Sequence, residues 1–291
     1  MPRRNTVATD RIFRYLFISS AVLVSLIILS IIWFVGMKGL STFKDVSFIQ
    51  FFTSSKWDPS SGQYGALTFI AGSLATTFLA ILIGGPLGLA GAVFMAEIAP
   101  PKLRNFMRPA TELFAGIPSI VYGYVGITVV VGLIRETTHA STGYGVLAGG
   151  IVLAIMILPT VVSLTEDSLR ALPESYKEAS LSLGATRWQT IRRVLLPAAT
   201  PGILTAFILS MARAIGETMA VQMVIGNSPL FPSSLVSPTS TLTSNIVMEM
   251  GNTTFGSTWN NALFMMSTIL LLISLILIIL VRLSVKKGET N

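Results

Sequence analysis

Residues 178–197 read EASLSLGATRWQTIRRVLLP and lie between two long apolar runs of the chain. The pattern predicts two short helices. Pro173 suits the first turn of one helix, because proline lacks the backbone N–H that would be unpaired there. Gly184 suits the left-handed position that ends this helix, and Thr186 can cap the next one. The second helix is expected to end just before Pro197, because the residue that precedes a proline disfavours the α conformation.

Large apolar side chains also lie on this loop, which covers residues 166–200. Leu172, Tyr176 and Trp188 stand where water would otherwise meet them. Exposed apolar side chains that share a helix face indicate a partner surface. We therefore expect the loop to dock in a groove of another protein.

The remainder of the chain is too apolar for a soluble domain. Hydrophobic residues make up 52% of the chain and charged residues only 11%, whereas soluble domains carry about 25% charged residues. About 20 consecutive apolar residues cross a bilayer as a helix. The sequence predicts an all-α integral membrane protein with six transmembrane helices, at residues 15–36, 66–94, 113–134, 146–165, 201–225 and 262–281.

The first apolar run resembles a secretory leader, since four arginines lie within residues 3–14. The run is longer than the apolar region of such leaders, and no cleavage site of small residues closes it. We interpret it as a retained first helix. The predicted division is 1–65, with the N-terminal tail, first helix and outer loop, and 66–291, the core membrane domain.

Basic residues predict the orientation in the membrane. With the N-terminus inside, fifteen of the 20 lysines and arginines fall in inner segments. The outer loops hold only Lys38, Lys44, Lys56 and Arg135. Because inner loops of membrane proteins carry the excess of basic residues, both termini are predicted to be cytoplasmic.

Several kinds of site are excluded by residue type. The chain has no cysteine and one histidine, His139, which rules out disulfides, thiolate metal sites and multi-histidine centres. No lysine follows a glycine, so the phosphate-binding P-loop is absent from the sequence. The sequence predicts no metal, no cofactor and no catalytic residue, and it assigns ATP binding to a separate subunit.

Three local patterns carry structural expectations. Gly84 and Gly88 form a GxxxG spacing that allows another helix to approach closely. Pro118 predicts a kink or local unwinding in the third span. The outer loop 226–261 is rich in Ser, Thr, Asn and Pro, which favours turns over regular elements. This loop is a candidate docking site for an external partner.

The loop 166–200 resembles the EAA coupling signature of ABC importer permeases. That signature reads EAA, three residues, Gly, nine residues and Ile-x-Leu-Pro, and every spacing matches. The chain departs from it at Ser180 and Val194. The resemblance implies contact with a cytoplasmic ATPase through Glu178, Ala179, Gly184, Leu196 and Pro197.

Two further segments, 116–123 (GIPSIVYG) and 212–221 (ARAIGETMAV), resemble the C-type permease subunit of the phosphate-specific Pst system. This resemblance implies the type I ABC importer permease (MetI-like) fold and the role of half a phosphate channel. It also implies three partners: a related A-type permease in a heterodimer, two copies of a cytoplasmic ATP-binding subunit, and an extracytoplasmic phosphate-binding protein.

Arg213 and Glu217 are the candidate pathway residues. Arg213 is predicted at the midpoint of span 201–225, where a charge costs about 3 kcal/mol and marks a functional position by default. Its planar guanidinium fits phosphate oxygens. Glu217, one turn further, can neutralise it. The alternative is a structural ion pair, although arginine before glutamate is the less favourable order for such a pair within one helix.

Other functions stay open at this point. The same machinery can serve sulfate or molybdate, and the chain can be the A-type subunit. An ion-coupled secondary transporter is a different class, and it would carry internal repeats and half-helices at mid-membrane. No clear repeat is visible, and the EAA pattern would then have no explanation.

Overall fold

The computed structural model describes residues 3–288, and residues 1, 2 and 289–291 of the predicted terminal segments lie outside this range. Strands β1 (Trp57–Asp58) and β2 (Gln63–Tyr64) form an antiparallel hairpin. The helices are α1 (Arg3–Leu40), α2 (Phe48–Thr53), α3 (Leu67–Val93), α4 (Pro101–Gly116), α5 (Ser119–Val125), α6 (Gly132–Thr138), α7 (Val146–Arg170), α8 (Glu174–Ser182), α9 (Arg187–Thr190), α10 (Leu196–Gly216), α11 (Met219–Val224), α12 (Leu242–Met250) and α13 (Thr258–Gly288).

Six helical segments of the described range are long and apolar enough to cross a membrane. This number confirms the predicted all-α membrane class. The segments are Asp10–Lys44, Leu67–Ile98, Ser119–Thr138, Val146–Arg170, Arg187–Gly216 and Thr258–Ile279.

The core forms where α3 packs against α7. A Cβ on Gly84 would lie 3.0 Å from the carbonyl oxygen of Ala154, and a Cβ on Gly88 would lie 2.7 Å from Val161. Only glycine allows the two backbones to approach this closely. The GxxxG prediction is thus confirmed.

Two of the predicted spans are interrupted, one near its start and one toward its end. α4 ends at Gly116 and α5 begins at Ser119, with Ile117 extended between them, which confirms the unwinding expected at Pro118. The third crossing segment therefore begins at 119 and not at 113. The continuous fifth span 201–225 is also wrong, because α10 ends at Gly216 and α11 begins only at Met219.

The loop 166–200 has the predicted first helix and turn. Gly184 adopts a left-handed φ of 79°, and Thr186 forms a capping box with Gln189. The second helix, however, does not end before Pro197. A π-helical turn at Ile191–Leu195 leads directly into α10. Because the hydrogen-bond register changes at the π turn, the missing N–H of the proline falls in the first turn of α10, where it interrupts no α-helical bond.

A second apolar cluster joins the hairpin to α12 and α13. Glu249 holds it together, since its carboxylate accepts hydrogen bonds from the indoles of Trp57 at 2.9 Å and Trp259 at 2.7 Å. The expectation of turns in 226–261 holds for 226–241 and 251–257, but it fails at α12, which is a regular helix. A capping box of Thr241 and Ser244 starts it.

α1 contacts the remainder of the described chain mainly near its C-terminal end. The ring of Phe34 meets that of Phe264 edge-on at 5.7 Å, and a Cβ on Gly39 would lie 2.9 Å from Met265. The apolar window of α1 is otherwise exposed. The division of the chain at residue 65 stays a prediction.

Candidate functional site

Arg213 lies half-buried in the last turn of α10. Its Nη1 atom is 3.4 Å from Thr160 Oγ1 on α7, and its Nη2 atom is 3.5 Å from the carbonyl oxygen of Ala115 on α4. Both distances are at the long end for hydrogen bonds. Among the described residues, no carboxylate lies within ion-pair distance of the guanidinium. Its N–H donors therefore make no charge-assisted hydrogen bond to an acidic side chain.

The break between α4 and α5 supplies the negative pole that faces this cation. The last carbonyls of a helix have no partner within the helix and carry a partial negative charge. The hydroxyl of Tyr122 donates to the carbonyl of Phe114 at 2.7 Å, and Arg213 faces the carbonyl of Ala115. Arg213 also lies at the C-terminus of its own helix. Two helix ends therefore stabilise the charge.

Glu217 does not neutralise Arg213 as the sequence predicted. The helix ends at Gly216, so Glu217 is extended and does not stand one helical turn above Arg213. Its Oε1 atom instead accepts a hydrogen bond of 3.2 Å from the backbone N–H of Ala220, at the start of α11. Its carbonyl oxygen accepts a bond of 3.0 Å from Thr243 Oγ1 on α12. Arg213 and Glu217 therefore lie next to the same helix break, but they do not form an ion pair.

An open cavity of about 470 Å³ lies beside α11, which follows this break. Residues of α5, α11 and the following turn line it, among them Ile120, Met219, Gln222 and Asn227. The amide side chains of Gln222 and Asn227 can form hydrogen bonds with a polar solute there. Arg213 does not line this cavity.

The predicted coupling residues divide into two groups. Glu178, Ala179 and Gly184 are exposed on the loop, whereas Leu196 is half-buried at the base of α10 and Pro197 follows it there. Solvent-exposed apolar side chains lie on the same loop as Glu178, Ala179 and Gly184. Tyr176, Leu183 and Trp188 are 47%, 90% and 60% exposed.

Other residues that fix this loop were missed by the sequence analysis. Ser180 is buried and its hydroxyl lies 2.9 Å from that of Thr190, which ties α8 to α9. The sequence signal that could have indicated this contact is Ser180 itself, which replaces the second alanine of the EAA signature. Lys177 forms an ion pair of 2.6 Å with Glu97 at the end of the α3 segment, and nothing in the sequence linked those two positions.

Within the described residues, no group of three His, Asp or Glu side chains could hold a metal ion. Thr160 and Ala115, which face Arg213, were also not predicted, because contacts between distant segments leave no mark in a single sequence.

Comparisons with known proteins agree with this architecture. The family profile described as "Binding-protein-dependent transport system inner membrane component" matches residues 84–288. The chain is 51% identical over 253 residues to the probable ABC transporter permease protein YqgH of Bacillus subtilis, which covers 86% of this chain and 82% of the relative. It is 34% identical over 301 residues to the phosphate transport system permease protein PstC of Mesorhizobium japonicum, covering 96% and 90%.

Solved structures show the same fold. A chain of the bacterial alginate ABC transporter in complex with alginate pentasaccharide-bound periplasmic protein superposes with a TM-score of 0.62 at 16% identity, covering 94% of both chains. A chain of the inward-facing MetNI methionine ABC transporter gives 0.53 at 24% identity, covering 74% of this chain and 90% of that one. The predicted type I importer permease fold is confirmed. The chain is a multi-pass membrane protein that belongs to the family of binding-protein-dependent transport system inner membrane components, and within it to the phosphate transport system permease proteins PstC.

Proposed function

We propose that this chain is the C-type permease subunit of an ATP-driven phosphate importer and forms half of the translocation pathway. The observation that carries the proposal is the uncommitted guanidinium of Arg213 at a helix break. Relatives named as PstC, which match most of the chain at 34% identity, support the choice of phosphate.

Arg213 is the proposed contact for the transported ion. A phosphate that crosses the bilayer must lose much of its hydration, and buried polar groups need replacement hydrogen bonds. The guanidinium offers a planar pair of donors that fits phosphate oxygens. Because its present contacts to Thr160 and Ala115 are long, little is lost when an anion takes their place.

Glu217 has a different proposed role in the same pathway. Its carboxylate holds the N-terminus of α11 and so keeps the break open next to Arg213.

Coupling to ATP hydrolysis is proposed for the exposed part of the cytoplasmic loop. Glu178, Ala179 and Gly184 lie beside the bare side chains of Tyr176 and Trp188, and together they fit a groove of an ATPase. Leu196 and Pro197 connect this surface to α10, which carries Arg213. Movement of the loop is thereby transmitted to the site, and the permease itself hydrolyses no ATP.

The proposed assembly contains an A-type permease as the second half of the channel, a dimer of ATP-binding subunits inside, and a phosphate-binding protein outside. Both termini are proposed to be cytoplasmic, which places the loop 166–200 on the ATPase side. The outer loop 226–261 and its helix α12 face the binding protein.

Two alternatives define the test. One is the same machinery for sulfate or molybdate, and the other is an ion-coupled secondary transporter, for which the helix breaks at 117–118 and 217–218 are the favouring observation. The complete complex in proteoliposomes, with binding protein outside and ATP inside, is expected to import labelled phosphate. Uptake that follows an ion gradient without ATP, or that favours sulfate or molybdate over phosphate, would contradict the proposal.

A further inference from the structure

Helix α8 is attached to the remainder of the chain along one narrow face. In the part of the chain that the structure describes, Lys177 and Ser180 are the only residues of α8 that are not exposed. They are three residues apart and therefore lie on the same side of the helix. The hydroxyl of Ser180 contacts that of Thr190 at 2.9 Å and so ties α8 to α9. Lys177 makes a second attachment, and it reaches a different part of the chain.

The partner of Lys177 is Glu97, in the segment that continues α3. The Nζ atom of Lys177 lies 2.6 Å from Glu97 Oε2, and the side chain of Glu97 is only 12% exposed. Among the described residues, no other cation lies within ion-pair distance of this carboxylate. A cavity of about 220 Å³, lined by Ile98 and Leu181, lies beside the pair. Apolar packing between α8 and the α3 segment is therefore incomplete there, and the ion pair bridges the two.

Both attachments of α8 lead to π-helical turns. Glu97 lies in the π turn Phe94–Ile98, which follows α3. Thr190 comes directly before the π turn Ile191–Leu195, which leads into α10. Such turns are rare and occur frequently at functional positions. Helix α8 is thus joined to α10 through one π turn and to α3 through the other.

Helix α3 reaches the candidate site through its packing on α7. The close approach of Gly88 to Val161 holds α7 against α3 next to Thr160, and the hydroxyl of Thr160 faces Arg213 at 3.4 Å. Because closely packed interfaces transmit displacement, a shift of α3 carries Thr160 with it. The other attached helix, α10, carries Arg213 itself. The two attachments of α8 therefore lead to the two sides of one contact at the site.

We propose that Glu97 and Lys177 are positioning residues that couple movement of the loop 166–200 to α3, and through α7 to the surroundings of Arg213. When α8 moves with an ATPase, the ion pair makes α3 follow it. This inference rests on the function proposed above, because it needs an ATP-driven transport cycle. An ion pair between exposed side chains contributes little, but Glu97 is nearly buried, and a buried carboxylate that loses its cation is left unpaired.

The test uses the complete importer in proteoliposomes and measures phosphate uptake and ATP hydrolysis together. Glu97→Gln and Lys177→Gln are each expected to keep the ATP hydrolysis that loaded binding protein stimulates, but to lower uptake about tenfold, a typical size for coupling between distant sites. The ATP hydrolysed for each phosphate imported should therefore rise about tenfold. Glu112→Gln is the matched control, because it removes an acid from an exposed ion pair within α4 and should leave this ratio unchanged.

The double variant Glu97→Gln with Lys177→Gln tests whether the two residues act as one link. If they do, its ratio of ATP to phosphate equals that of either single variant. Effects that multiply, to about a hundredfold, would show that Lys177 acts through a different contact and would overturn the proposal. A purely structural pair predicts instead a lower Tm with ATP hydrolysis and uptake reduced in proportion, and that result would overturn it as well.

Failure of this inference can be distinguished from failure of the proposed function. If wild-type vesicles import phosphate with ATP and the Glu97 and Lys177 variants keep the wild-type ratio, only this inference fails. If wild-type vesicles import no phosphate, the proposed function fails too.

Discussion

The Nη2 atom of Arg213 lies 3.5 Å from the carbonyl oxygen of Ala115 and so joins the end of α10 to the end of α4. Both helices stop at this height, one before Pro118 and the other before Glu217. The positive charge is therefore held by two helix C-termini and not by a carboxylate. Since helix ends carry only partial charges, an incoming anion competes favourably for the guanidinium.

The bond from Tyr122 to Phe114 is expected to fix the same break. In Tyr122→Phe the carbonyl of Phe114 loses its 2.7 Å donor, which should cost about 1 kcal/mol. We expect a lower Tm in detergent and slower phosphate uptake. Tyr124→Phe is the matched control, because Tyr124 is 63% exposed on the same helix. Equal Tm values for the two variants would show that this bond does not hold the break.

Gly184 provides a test of the coupling surface. Its φ of 79° is left-handed, and no other atom lies within 4 Å of where a Cβ would stand. Gly184→Val therefore adds no clash but strains the turn by about 1–2 kcal/mol. The variant should insert into the membrane yet bring down less ATPase in a co-purification and transport less phosphate.

The control for that experiment is Gly251→Val, at a position that is equally open but not left-handed. Glu178→Lys reverses an exposed charge on the same surface and should also reduce ATPase recovery. Full recovery of the ATPase with both Gly184→Val and Glu178→Lys would exclude this loop as the coupler.

Orientation can be measured directly, since the chain has no cysteine. Single cysteines at the exposed positions Ser61, Ser233 and Ser175 suit labelling of intact cells with a membrane-impermeant thiol reagent. Labelling of the first two and not of Ser175→Cys is expected when both termini are cytoplasmic. Labelling of Ser175→Cys from outside would reverse the orientation.

The sequence predicted the features that depend on neighbouring residues. The apolar runs predicted six spans, and Gly184 and Thr186 predicted the turn between α8 and α9. Hydropathy and helix capping depend on residues close together in the chain, so a single sequence reveals them. It did not predict the break at Glu217, since no proline or glycine follows Gly216 there and the extended backbone is held by Thr243, 26 residues away. The partners of Arg213 were missed for the same reason, as Thr160 and Ala115 come from other helices.

Variants of Arg213 distinguish a role in the transport pathway from a purely structural role. Arg213→Gln removes the cation and is expected to lower phosphate uptake at least about tenfold, with the complex still assembled. Arg213→Lys keeps a charge at the C-terminus of α4, so its Tm should stay near that of the wild type. Its uptake should nevertheless fall, because an ammonium lacks the planar donor pair. Arg135→Gln, which removes an exposed cation on α6, serves as the control.

A second variant sharpens this test. If Arg213 and Glu217 were a structural ion pair, Arg213→Gln combined with Glu217→Gln would restore transport, since no buried charge would remain unpaired. The structure separates the two side chains, with Glu217 bound to the N–H of Ala220 at 3.2 Å. We therefore expect the double variant to stay inactive in proteoliposomes at matched protein levels and to melt below Arg213→Gln, because the start of α11 loses its charged acceptor. Near wild-type uptake by the double variant, or by Arg213→Lys, would assign Arg213 to the scaffold.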